Sequence, residues 1–141
     1  MAASEKREGD GATPVGTFAL RELWYRADRL ERPTCALATR TITPTDGWCD
    51  DPRHPFYNKH VQLPFAASHE TLWRDDEVYN LIVPLGYNDE FILPGHGSAI
   101  FLHVAREGYP PTAGCVALAQ SDLLELLVGI GRKAQIIVNP V

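Results

Sequence analysis

The chain has no stretch that could cross a bilayer as a helix. Its longest uncharged run, Phe91–Ala105, is 15 residues and is broken by Pro94, Gly95 and Gly97. It has no excess of basic charge: 13 Lys+Arg against 18 Asp+Glu leave a net charge of −5, which argues against nucleic acid as a partner. It has little room for long helices. Glycine and proline number 11 each, and only Thr17–Arg32, Phe65–Val83 and Cys115–Val128 run beyond ten residues without either. Cysteine is scarce and odd in number: Cys35 and Cys49 could pair, but spacing does not show it, and one thiol remains in any case. The start, Met1–Asp10, is polar and lacks the apolar segment of a signal peptide, so the expectation is a cytoplasmic protein or one whose export signal is not in this chain.

What is present is ordinary for a globular domain. At 141 residues, 45% hydrophobic and 22% charged, one domain with its own core is expected, covering 1–141. No repeat, linker or low-complexity segment interrupts it. Gly11–Gly16 is dense turn chemistry, and the alternation over Thr17–Arg26 reads as a strand. Arg40–Thr43 is a short β-branched run and Thr45–Pro52 a loop, its acidic stretch Asp46–Asp51 a solvated turn rather than a calcium site. Tyr57–Leu63 and Val78–Leu85 read as strands. Ser68–Arg74 suits one or two helical turns, with Ser68 as N-cap. In Ser98–Arg106, a core strand, one face carries Ser98, Ile100, Leu102 and Val104, and the other Ala99, Phe101, His103 and Ala105. Thr112–Leu118 reads as tight, then extended. Ser121–Val128 is the best helix, capped by Ser121, favoured by Asp122 at its positive end and stopped by Gly129 and Gly131; Ala134–Val138 is a last strand.

Cys115 follows Gly114 in a Gly/Pro-rich loop, and His103 lies twelve residues upstream near the end of an apolar strand. A strand-loop-strand return of that length can bring imidazole beside thiol. Such a pair is the usual source of a thiolate near neutral pH, and the thiolate is the nucleophile. Spacing alone leaves a buried structural cysteine and a satisfied core histidine as the commoner outcome. His69, beside Glu70, and His96 are rival histidines. A metal set of Cys49, His54 and His60 matches no common zinc spacing. Trp24, Trp48 and Trp73 read as core.

The segment Ile100-Phe-Leu-His103 … Pro111-Thr112-Ala-Gly114-Cys115-Val-Ala-Leu118 resembles the signature of the L,D-transpeptidase (YkuD-like) family, a histidine followed after a variable loop by Ser/Thr-x-Gly-Cys. Upstream, Asp10-Gly-Ala-Thr13-Pro14-Val-Gly16-Thr-Phe18 resembles the family's Asp-x-x-Thr-Pro-x-Gly-x-Phe element, in similar order and at similar wide separation. Asp50-Asp-Pro, Tyr57-Asn58, Ser68-His-Glu-x-Leu-Trp73 and Gly97-Ser-Ala-Ile-Phe are similar to one branch of it. Ala113 and Ala117 stand where many members have His and Arg, so those contacts come from elsewhere or are lost. The chain begins almost at the Thr-Pro-x-Gly element, so the domain is expected to lack N-terminal strands.

The resemblance implies a mainly-β sandwich of mixed sheets, with one main helix at about 121–128 and a short helical turn near 68–74. It implies acyl transfer on peptidoglycan stem peptides at the cell envelope, forming cross-links, with the carbapenem sensitivity of the family. Cys115 would be the nucleophile and His103 the base. Backbone N–H groups at Gly114 and Cys115 would hold the oxyanion, with Thr112 ordering the loop. His69, Tyr57 and Asn58 would touch substrate. No cofactor or metal is implied, and a monomer is expected. Rival readings are an L,D-carboxypeptidase at the same site, a non-catalytic peptidoglycan-binding module, and an unrelated thiol hydrolase.

Overall fold

A computed structural model describes residues 2–140. Ten strands and one α-helix follow in chain order: β1 Gly16–Ala19, β2 Leu23–Tyr25, β3 Thr39–Thr41, β4 Asp46–Cys49, β5 His60–Gln62, β6 His69–Thr71, β7 Leu81–Pro84, β8 Phe101–Val104, β9 Val116–Leu118, α1 Gln120–Gly129 and β10 Gln135–Val138. They form a five-stranded sheet in the order β3-β2-β7-β8-β9, a three-stranded sheet β5-β4-β6 and a β1-β10 ribbon. The large sheet is mixed: β2-β3 and β8-β9 are parallel, while β2-β7 and β7-β8 are antiparallel.

Period-two alternation on this sheet separates two cores. One face presents Leu23, Tyr25, Leu81, Val83, Leu102 and Val104 and is covered by α1 through fully buried Leu123 and Leu127. Burying each leucine contributes about 1.5–3 kcal/mol. The other face presents Trp24, Ile82 and Phe101, which pack with Ile42, Leu72 and Tyr79, and with partly buried Trp48, Trp73 and Cys115. The two faces of the strand around Phe101–Val104 divide as their alternation implies. All three tryptophans pack on the second core.

Several local expectations are corrected. Residues 68–74 hold no helical turn. His69–Thr71 pairs with Gly47–Cys49, and the Ser68 hydroxyl donates to Asp50 Oδ1 at 2.6 Å instead of capping a helix. Strand pairing overrides the local preference here. Its partner, Asp46–Cys49, is a strand rather than part of a solvated loop. Asp46 is buried, accepting from the Thr43 backbone N–H at 2.7 Å and lying 2.7 Å from His60 Nε2. Gly47 permits the pairing, because a Cβ there would lie 2.8 Å from Leu63 and 3.2 Å from the Glu70 carbonyl. The alternation over Thr17–Arg26 is two strands: β1 pairs with β10, and after Leu20–Glu22 the chain enters the large sheet as β2. The helix begins one residue before Ser121, with Ala119 at the N-cap and no side-chain cap bond, so Ser121 lies inside the first turn. Cys35 and Cys49 are free thiols.

Candidate active-site cleft

A cleft of about 370 Å³ opens on the second face of the large sheet, over β8 and β9. Register places its floor. Ile82 pairs with His103 and His103 with Ala117, so these side chains form one row across β7, β8 and β9. Cys115 lies two residues before Ala117, on the same face. Cys115 and His103 therefore line one wall of the cleft, with Thr112 and Ala113 on the loop that enters β9.

Cys115 is partly exposed as a residue, yet its sulfur is held against the backbone before β8. Its thiol donates to the Ala99 carbonyl at 3.2 Å, and Sγ accepts from the Phe101 N–H at 3.4 Å. Ala99 has a left-handed φ of 53°, a conformation that a non-glycine residue holds only when its neighbours fix it. The fixing group is Asn58, whose Oδ1 accepts from the Ala99 N–H at 3.0 Å. Burial pushes the Cys115 thiol up to about 12, with the nearby Glu70 charge acting the same way. Burial lowers His103, and Arg74 and Arg106 add to that effect. His103 Nδ1 lies 2.9 Å from the Val104 carbonyl; since a carbonyl only accepts, the proton is on Nδ1 and Nε2 carries the lone pair. Both shifts favour the neutral thiol and the neutral imidazole over the ion pair that a Cys–His juxtaposition suggests.

The loop before β9 is locked at two points. The Thr112 hydroxyl donates to the Cys115 carbonyl at 2.7 Å and accepts from the Gly114 N–H at 3.3 Å. Gly114 has φ +112°, and a Cβ there would lie 2.6 Å from the Ala12 carbonyl, so only glycine fits.

The rest of the lining is largely charged, and sequence reading missed it. Glu8, Asp50, Glu70, Arg74, Tyr79 and Arg106 all line the cleft. Tyr79 donates to Glu70 Oε2 at 2.6 Å and packs edge-on against His103 with ring centroids 5.6 Å apart. Arg74 bonds Asp76 at 2.6 Å, and Arg106 lies 3.6 Å from the same carboxylate. The one available signal was Ser-His-Glu. Read as a strand, it sends His69 and Glu70 to opposite sides, and Glu70 is the residue that enters the cleft.

The three residues expected to touch substrate sit outside the cleft lining. His69 Nδ1 lies 2.8 Å from the Ala67 carbonyl, and its ring packs against Phe65. Tyr57 is buried; its hydroxyl donates to Glu8 Oε1 and accepts from the Gly97 N–H, both at 2.9 Å. Asn58 is buried and spends its amide on Trp48, Ala99, Tyr87 and Asn88. Tyr57 and Asn58 act beneath the site, the first by holding a cleft carboxylate and the second by setting Ala99. His96 is likewise absent from the cleft lining. Cys49, His54 and His60 do not converge: among the described residues no three His, Cys, Asp or Glu side chains are grouped for a metal.

The architecture is thus a mixed-sheet β-sandwich with a single thiol and a single imidazole on one face of its central sheet. Residues 2–138 match the YkuD model, the L,D-transpeptidase catalytic domain, and the chain belongs to that family. Membership ties the domain to peptidoglycan chemistry and to action at the cell wall. Comparison with curated proteins and with solved structures gave no match. No helix among the described residues is long and apolar enough to cross a membrane.

Proposed function

We propose that this domain is an L,D-transpeptidase that joins peptidoglycan stem peptides through a thioester on Cys115. The observation that carries the reading is the shared cleft face of Cys115 and His103, reached through the family's own two sequence elements. Acylation begins when the thiol turns from the Ala99 carbonyl to His103 Nε2. It gives up its proton and attacks the carbonyl that follows the meso-diaminopimelate residue of a tetrapeptide stem. The N–H groups of Cys115 and Gly114 hold the oxyanion, the latter exchanging its 3.3 Å contact with Thr112 for a shorter one. His103 returns the proton to the leaving D-Ala amine. Arg74 and Arg106 line the same cleft and would meet the stem's carboxylates there. An acceptor amine then attacks the thioester.

Intact-protein mass spectrometry after incubation with a carbapenem tests the nucleophile. The wild type should gain one acyl adduct and Cys115→Ala none; equal adducts on both would sink the assignment, and no adduct on either would favour a non-catalytic binding module. A second reading, L,D-carboxypeptidase, is favoured by Ala113 and Ala117. They leave the His103 wall of the cleft without polar side chains at two positions where an acceptor would need holding against water. A tetrapeptide muropeptide supplied with and without an acceptor stem separates the two by dimer against released D-Ala.

A further inference from the structure

Among the cleft carboxylates Glu8, Asp50 and Glu70, it is Glu70 that shares a partner ring with His103. It enters from β6 and lines the same cleft as Cys115 and His103. Its Oε2 accepts from Tyr79, whose ring also packs on His103, so carboxylate and imidazole are positioned by the same phenol ring. Its Oε1 takes no protein donor among the described residues. Among the described residues no fully buried side-chain oxygen or nitrogen lacks a partner, so Oε1 keeps some exposure, and the cleft is the space that Glu70 lines. The groups that face Glu70 are the Tyr79 hydroxyl, Asp50, Arg74 and Glu8, and its charge reaches the Cys115 sulfur. Burial is the main cause that holds its carboxyl above the ordinary value, with Asp50 and Glu8 adding to it and Tyr79 and Arg74 opposing.

The acceptor in transpeptidation is an amine. In water an alkyl amine of pKa about 10.4 is an ammonium at pH 7, and an ammonium has no lone pair with which to attack. His103 Nε2 takes one proton at a time, and it is the group that carries the second proton from nitrogen to sulfur. The geometry points to Glu70 as the residue that binds the acceptor ammonium through Oε1 and removes its first proton, an assignment that rests on the transpeptidase reading above. One of the three ammonium protons passes to the Glu70 carboxylate. The freed nitrogen lone pair forms the C–N bond to the thioester carbonyl, giving a tetrahedral adduct. The second proton passes from nitrogen to His103 Nε2 and then to sulfur as the C–S bond breaks; the third stays on the new amide. Cys115 is restored as a thiol, and Glu70 releases its proton to solvent.

The test is the partition of one acyl-enzyme between aminolysis and hydrolysis. The whole chain is incubated with a tetrapeptide muropeptide that serves as donor and acceptor, and cross-linked dimer is compared with free tripeptide. The ratio is set after the thioester forms, so it does not depend on the rate of acylation. In Glu70→Gln the ratio at pH 7 should fall by about 10²-fold, the usual share of a general base. It should then recover roughly tenfold per pH unit toward the amine's own pKa, because solvent takes over the deprotonation. A merely structural role for Glu70 would not produce that recovery. Glu70→Asp keeps the charge that Tyr79 holds and withdraws it by one methylene; its ratio should fall between the two, and it is the readout if the Gln variant does not fold. An unchanged ratio in either folded variant, or a wild type that forms the thioester yet no dimer, overturns the assignment of Glu70. A wild type that takes no carbapenem adduct at Cys115 defeats the transpeptidase reading itself.

Discussion

The two faces of the five-stranded sheet are made by the same strands and have opposite chemistry. Under α1 the face is aliphatic: Leu81, Val83, Leu102 and Val104 meet Leu123 and Leu127, with no charged group among them. One residue along each strand, the other face carries Trp24, Phe101 and His103, with Tyr79 packed on it from the turn before β7, and the small sheet brings in Glu70. On the first face a substitution acts only through packing volume. The second holds buried polar groups that stay affordable because each is bonded: Asn58 through its whole amide, His103 through Nδ1 and Tyr79 through its hydroxyl. One alternating strand therefore serves stability with its even positions and chemistry with its odd ones.

Substitutions should separate the faces. The largest effect is expected from His103→Ala on the polar face. Acylation of Cys115, followed as adduct formation, should slow by about 10²–10⁴-fold while the thermal midpoint moves little. If acylation keeps the wild-type rate, His103 is not the base. On the aliphatic face Leu127→Ala should do the reverse, costing about 2–5 kcal/mol in denaturant unfolding and leaving acylation per folded molecule as it was. A loss of acylation with no loss of stability would erase the division. The pH dependence sharpens it. Because burial holds His103 below its ordinary 6.5, the acid limb of acylation should lie below pH 6.5. Because burial pushes the thiol up to about 12, alkylation by a small reagent should keep rising through pH 9 instead of levelling near 8.5. A plateau below pH 7 would restore an ion pair. The smallest effect belongs to Ser121→Ala, expected within about 0.5 kcal/mol of wild type by unfolding because Ser121 is not the cap. A cost of about 1 kcal/mol would mean that it is.

The same contrast explains what the sequence made legible. Helix α1, the face alternation around His103 and the core role of the tryptophans depend on local periodicity, and each emerges where the pattern puts it. A strand-loop-strand return predicts Cys115 near His103, but the two reach one face through parallel pairing of β8 and β9, which a strand, a loop and a strand do not suggest. The polar wall was illegible for a different reason. Glu70 reaches the cleft only because His69–Thr71 pairs with Gly47–Cys49, and both segments carry the composition of turns. Tyr79 sits beside an apolar run that reads as core, and most of it is core. Apart from Trp48, ten residues from Asn58, the side-chain partners of Tyr57 and Asn58 lie 29 to 49 residues away, as at Tyr87, Ala99 and Glu8, so little nearby marks them as supports.

The contact between Gly114 and the Ala12 carbonyl has an evolutionary consequence. The obstacle at position 114 is a backbone oxygen, and every amino acid placed at position 12 would bring the same oxygen. No compensating substitution at position 12 can therefore make room for a side chain beside the thiol. A lineage could change Gly114 only after the first dozen residues had shifted off the cleft. That shift would carry away Glu8, which is anchored to the Gly95 carbonyl at 2.7 Å and to Tyr57 at 2.9 Å. Two segments about a hundred positions apart are thus bound to change together or not at all, and the constraint is geometric rather than chemical.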